Sequence, residues 1–191
     1  MSEHNRTEHA AEGATLWTIG HSTRPIDEFI GLLRAHGIQS VVDVRRFPAS
    51  RRYPYFNGPA LAHSLSDHGI QYCHMAALGG RRPARRDSVN LGWRNTSFRG
   101  YADYMQTGEF LEALEELMHR GRTSRTAVMC AEAVPWRCHR NLISDALVTR
   151  GWDVSHILSA SKADHHHLTS FAKVSGSKLL YPSETGQGTL F

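Results

Sequence analysis

Five short apolar runs punctuate the chain, and most of them end in reactive side chains. Leu16-Trp-Thr-Ile19 runs into Gly20-His-Ser-Thr-Arg24, Ser40-Val-Val-Asp-Val44 into Arg45-Arg46-Phe47-Pro48, and Thr126-Ala-Val-Met129 into Cys130-Ala-Glu132. Ile70–His74 and Val154–Leu158 complete the set. Apolar runs of this length bounded by turn residues read as buried strands. The intervening stretches carry helical spacing. Pro25–His36 opens with proline, repeats Ile26, Phe29, Ile30 and Leu33 on one side, and stops at Gly37, the usual helix punctuation. Gly58–His68 closes at Gly69, and Trp136–Arg150 follows Pro135. Tyr101–Arg120 is expected as the longest helix, with Tyr104, Phe110, Leu111, Leu114, Leu117 and Met118 on its apolar side. The order β-α-β-α-β-loop-α-β-α-β predicts one α/β domain: a mostly parallel sheet of about five strands, with helices on both faces.

In such a sheet the carboxyl ends of the strands share one edge, where ligands bind. His21, Ser22, Asp43, Arg45, His74, Cys130 and Glu132 all fall there by this reading. The densest chemistry is Cys130-Ala-Glu-Ala-Val-Pro-Trp-Arg-Cys-His-Arg140, with two thiols, a carboxylate, an imidazole and two guanidinium groups. Cys138 and His139 are expected in the first turn of the following helix, whose dipole lowers the pKa of a nearby thiol. Cys138 is then the candidate nucleophile, with Glu132 and either His139 or His21 as the acid–base pair. The plainer alternative is a small buried residue with an inert thiol.

Cys130, Cys138, His139, His74 and His21 also have the donor atoms of a zinc or iron site. Neighbouring residues on a helix point about 100° apart, which sets Cys138 against His139 as ligands of one ion. No metal or other cofactor is therefore assigned. A cysteine-phosphatase loop fits poorly, since six residues separate Cys130 from Arg137 and Glu132 among them repels a dianion. Ser22 and Arg24 either hold a phosphate at the helix start or form a strand-to-helix turn, with Ser22 or Thr23 as N-cap. His165–His167 reads as a solvated run.

The chain has 191 residues, 40% of them hydrophobic, enough for one core. No apolar run approaches a membrane span and no secretory segment is evident. Three cysteines make a disulfide framework unlike this composition and place the expectation in a reducing cytoplasm. Residues 1–15 read as a disordered segment, 16–172 as the domain, and 173–191 as a flexible tail.

Charge changes the picture. The chain holds 19 Arg against 3 Lys, and ten of the Arg lie between Arg45 and Arg99, where the only acids are Asp67 and Asp87. Aromatics interleave with them at Phe47, Tyr53, Tyr55, Phe56, Trp93 and Phe98. Arginine's planar fork suits phosphate, and aromatic rings stack on bases. Arg94 and Arg99, in the long polar insertion 77–99, join Arg45 and Arg140 as candidate phosphate contacts, with Tyr101 and Asp103 expected to face the same pocket. Against this stand a merely solvated basic face and aromatics that pack long loops onto the sheet.

Several segments occur together: Thr18-Ile-Gly-His-Ser-Thr-Arg24, Val42-Asp-Val-Arg45 with Pro48, Leu78-Gly-Gly80, Gly100-Tyr-Ala-Asp-Tyr-Met105, Met129-Cys-Ala-Glu132 and Cys138-His-Arg140. In this order they resemble the bacterial family called domain of unknown function 488, over about residues 16 to 158. The resemblance implies an α/β fold and marks His21, Asp43, Arg45, Tyr101, Asp103, Cys130, Glu132, Cys138, His139 and Arg140 as motif positions. It carries no settled activity. Trp136-Arg-Cys-His-Arg140 resembles the Pro-Cys-His-Arg nucleophile segment of the alkylguanine-DNA alkyltransferases, with Arg137 in place of the proline. Gln187-Gly-Thr-Leu-Phe191 resembles the peptide by which bacterial repair and replication proteins dock on the sliding clamp. Gln187 would set register while Leu190 and Phe191 fill an apolar groove.

Together these readings predict a cytoplasmic nucleic-acid-processing protein, a DNA repair or modification factor recruited by the sliding clamp, with a cysteine nucleophile of transferase or hydrolase type. Two other classes stay open: a small-molecule enzyme acting on a nucleotide or phosphorylated metabolite, and a non-catalytic nucleic-acid-binding adaptor.

Overall fold

Side-chain alternation along the buried strands decides the layers. In the computed structural model, which describes residues 14–176 and 178–183, Val41, Ala127 and Met129 join one apolar cluster while Val42 and Val128 join the other. Successive strand residues point to opposite faces, so both faces of the sheet must be covered. Helices α1 (Ile26–Ala35) and α2 (Gly58–Ser66) cover the first through Phe29, Leu33, Leu61 and Leu65. Helices α3 (Thr96–Tyr104), α4 (Gly108–Thr123) and α5 (Arg140–Val148) cover the second.

The sheet has six strands: β1 (Thr15–Gly20), β2 (Ser40–Asp43), β3 (Gln71–His74), β4 (Thr126–Cys130), β5 (Asp153–Ser159) and β6 (Lys162–His165). Their order is β3-β2-β4-β1-β5-β6. The first five are parallel and β6 is an antiparallel edge. Helix α1 leaves β1 on one face and α5 leaves β4 on the other, although β1 and β4 are neighbours paired from Trp17↔Ala127 to Gly20↔Cys130. That divergence opens a crevice beyond their carboxyl ends, where open α/β sheets bind ligands.

The α/β reading holds, with four local corrections. The expected helix over 101–120 is two helices, because Thr107 stops the first and caps the second: its hydroxyl donates to the Tyr104 carbonyl and accepts from the Phe110 amide. The helix expected from Trp136 begins later. Pro135–Arg137 make a single 3-10 turn, Cys138 is extended (φ −137°, ψ 148°), and α5 starts at Arg140. Packed chain also continues past 172. Strands β7 (Lys173–Ser175) and β8 (Lys178–Leu180) form a hairpin, and Leu179 and Tyr181 are buried in the α3–α5 cluster. Finally, His166 leaves the solvated run and turns inward.

That inward turn closes a buried relay of hydrogen bonds running from Asp145 to Arg140. The Asp145 carboxylate can only accept, so Nε2 of His166 donates to it (2.8 Å), and Nδ1 of His166 bonds Nε2 of His156 (3.0 Å). Nδ1 of His156 bonds the Thr18 hydroxyl (2.7 Å), whose oxygen accepts from Arg140 (3.1 Å). Asp145 further accepts from Thr169 and from Tyr181, whose hydroxyl stands 2.8 Å away. Burial, with His166 and Arg140 beside it, lowers the His156 pKa to about 3, so the His156 imidazole is neutral. No helix among the described residues is long and apolar enough to cross a membrane. Most of the expected 1–15 segment and all of Gln187, Leu190 and Phe191 lie outside the described residues.

Candidate active site

A cleft of about 510 Å³ lies over the carboxyl ends of β1, β2 and β4. Its walls are built by chain crossings that the sequence makes possible. Gly20 ends β1 so close to the next crossing that a Cβ there would stand 1.8 Å from the Glu132 carbonyl oxygen. The bare Gly20 backbone lets His21 donate its amide to the Cys130 carbonyl (3.0 Å) and Ser22 to that of Ala131 (2.8 Å). Ser22 takes a left-handed backbone (φ 51°) to do so. Arg140 fastens the same loop by donating to the Glu132 carbonyl (2.5 Å).

Cys130, Cys138 and His139 form one cluster in this cleft. Nδ1 of His139 lies 3.7 Å from Sγ of Cys138 and 4.0 Å from Sγ of Cys130. Both thiols are buried, at 3% and 7% exposure. Nε2 of His139 donates to the Val44 carbonyl (3.0 Å), and the Tyr101 ring packs 5.0 Å from the imidazole. The helical divergence expected between Cys138 and His139 does not arise, because Cys138 precedes the helix and its extended backbone turns its side chain beside that of His139. Burial opposes charge on Cys138, but contacts with Cys130 and His139 draw its thiol well below the ordinary value. The contact with Cys138, together with burial, pushes the Cys130 thiol well above it.

Beside the cluster, His21 lines the cleft and stacks on Phe56 at 4.1 Å. Burial, with the Arg45 charge, lowers its pKa to about 4. Asp43 is fully buried and clamps Arg45 with both carboxylate oxygens, at 2.6–3.1 Å, while also accepting from Tyr72 (2.9 Å). Arg45 reaches the cleft from this clamp and donates to the Phe56 carbonyl. Glu132 is exposed on the rim.

The other residues singled out from the sequence serve elsewhere. Asp103 accepts from Ser88, Asn90 and the Arg85 amide, so it pins the long loop. Arg99 donates to the Trp93 carbonyl, and Arg24 to the Gly20 carbonyl. Arg94 is exposed outside the cleft lining, Ser22 acts through its backbone, and His74 bonds the Arg45 carbonyl away from the cluster. Arg140, only 1% exposed, spends its charge inside the protein and leaves its Nε without a partner. The cationic wall is instead Arg46, Arg81 and Arg137, with Phe47 and Phe98 beside them. Except for Arg137, which belongs to the Cys130–Arg140 stretch, their signal was the basic and aromatic clustering between Arg45 and Arg99, which located the loops without saying which members face inward. Trp93 does pack inward, on Phe98, Phe171 and Tyr181.

Fold and site define an α/β protein with a thiol–imidazole cluster under a cation-rimmed cleft at a strand-order switch. A family model, Domain of unknown function DUF488, matches residues 25–147, and the chain belongs to that family. No curated protein and no solved structure matches it.

Proposed function

We propose that this protein is a nucleic-acid-processing enzyme, acting in DNA repair or modification, whose reacting centre is the Cys130, Cys138 and His139 cluster. The carrying observation is the composition of the cleft mouth. Arg46, Arg81 and Arg137 line it with Phe47, which remains 64% exposed. An exposed phenyl ring among guanidinium groups suits a base stacked beside its phosphates. Glu132 and His21 stand at the same cleft as candidate proton carriers. Recruitment by a sliding clamp belongs to this proposal on the sequence of Gln187–Phe191 alone.

The test is binding of a fluorescent oligonucleotide across a salt series, for wild type and Arg81→Gln. Affinity should fall steeply with salt, and the variant should reduce the slope by about 0.7–0.9, the contribution of one phosphate contact. A second reading, an enzyme for a nucleotide or phosphorylated metabolite, is favoured by the cleft volume of about 510 Å³, which is a small-molecule size. Mononucleotide binding without polymer affinity would favour that reading.

A further inference from the structure

We infer that Cys130, Cys138 and His139 hold a single thiophilic divalent metal ion, of the zinc type, with its open side facing the cleft. The inference rests on the proposed reading only in making this cluster the reacting centre; the ligand geometry stands by itself.

Three observations carry it. The first is distance. Ligand atoms of the three residues all lie within 4.8 Å of one another, with Nδ1 3.7 and 4.0 Å from the two sulfurs. Tetrahedral zinc, with bonds of about 2.3 Å to sulfur and 2.0–2.1 Å to nitrogen, sets neighbouring ligands about 3.6–3.8 Å apart. The second is the orientation of the imidazole. The Val44 carbonyl can only accept, so Nε2 of His139 carries its proton and the lone pair of the neutral ring sits on Nδ1, beside both sulfurs. Metal-binding histidines are held in this way, through the ring nitrogen that does not bind.

The third is the space kept beside Nδ1. A Cβ on Gly80 would stand 2.8 Å from Nδ1 of His139 and 3.2 Å from Cγ. Gly80 is not in a left-handed conformation, so backbone freedom does not demand glycine there; room beside the donor atom does. The near burial of both thiols fits an ion better than a bulky electrophile. Two sulfurs and one nitrogen suit zinc, and three protein ligands with an open position are the ligand count of catalytic sites. Both sulfurs bind as thiolates, and whatever thiol proton is given up leaves to solvent.

The test uses the full chain, stripped of metal under reducing conditions and titrated with zinc and with cobalt(II). The expected result is one equivalent of either ion and a thiolate-to-cobalt charge-transfer band that zinc abolishes. Cys130→Ser, Cys138→Ser and His139→Gln should each lose the band, while Cys73→Ser, at a half-buried thiol outside the cluster, should keep it. Because the ligand variants alter buried positions, two further measurements do not depend on them. Gly80→Ala leaves every donor in place and should weaken cobalt binding at least tenfold. In wild type, zinc should protect Cys130 and Cys138 from alkylation while Cys73 reacts equally with and without it. No charge-transfer band, a band that survives Cys138→Ser, or a reduced protein whose cluster thiols zinc does not protect would overturn the inference. Oligonucleotide binding on the same samples separates the two claims. Its loss in wild type overturns the nucleic-acid reading and leaves the metal centre standing, and metal failure with binding intact does the reverse.

Discussion

Gly20 and Glu132 touch backbone to backbone: the position of a Gly20 Cβ is 1.8 Å from the Glu132 carbonyl oxygen and 2.9 Å from the Arg140 guanidinium. The carboxyl end of β1, the loop after β4 and the start of α5 meet at this point. Alanine at 20 cannot be relieved by a rotamer change, because its neighbour is main chain. Gly20→Ala should cost about 3 kcal/mol or more, at the high end for a single substitution. Urea unfolding checks this; a midpoint within error of wild type would mean that the loop moves aside freely.

Asp43 and Arg45 form the second support of the rim. Removing one partner of a buried pair leaves a desolvated charge, typically a loss of about 3–5 kcal/mol. Asp43→Asn should therefore lose stability on that scale. Tyr72→Phe, which removes one hydrogen bond to the same carboxylate, should lose about 1–2 kcal/mol. Equal effects from the two would show that Arg45 finds another partner.

Acid should loosen the relay beneath the site. His156 has its pKa lowered from 6.5 to about 3, so between those values the unfolded chain binds a proton that the native protein excludes. Stability then rises with pH through this window and levels off above about 6.5, with a slope of up to about 1.4 kcal/mol per pH unit from this group. Carboxylates contribute to the slope as well, so the comparison is with His156→Gln. Denaturant midpoints from pH 4 to 8 should fall less steeply in the variant. Parallel curves would mean that His156 titrates normally in the native state.

Tyr181 ties the hairpin to the core, since its hydroxyl donates to Asp145 and its amide to the Asn90 side chain. Tyr181→Phe removes one charge-assisted bond, about 2 kcal/mol. Cleavage within 173–180 by a protease under native conditions should accelerate correspondingly. An unchanged cleavage rate would show that the apolar contacts of Leu179 and the Tyr181 ring suffice.

Much of this architecture is legible in the chain because strands buried on both faces are continuous apolar runs that end abruptly in polar residues. That contrast placed His21, Arg45, Cys130 and Glu132 on one rim. Other features leave weaker marks. The apolar spacing from Tyr104 to Leu111 continues across the helix break, so Thr107 as cap is hidden by periodicity. Pro135 signals a helix start, yet the turn it opens ends within three residues, and that difference brings Cys138 and His139 together. His166 is masked by its neighbours His165 and His167, and the hairpin by a Lys-, Ser- and Gly-rich composition. Asp103 and Arg140 read as substrate contacts because charged residues near a rim do; burial and hydrogen bonds made inside the protein make them supports.

The most direct measurement is photocrosslinking of an iodouracil-substituted oligonucleotide, with the joined peptides identified by mass spectrometry. Crosslinks at Phe47 or Phe98, reduced in Arg46→Gln/Arg81→Gln, are expected. The molecule carries its own comparison in Arg120, Arg122 and Arg125, a basic group at the amino-terminal edge of the sheet, next to the start of β4. Crosslinks confined to that edge, or none at all, would contradict nucleic-acid processing in the cleft.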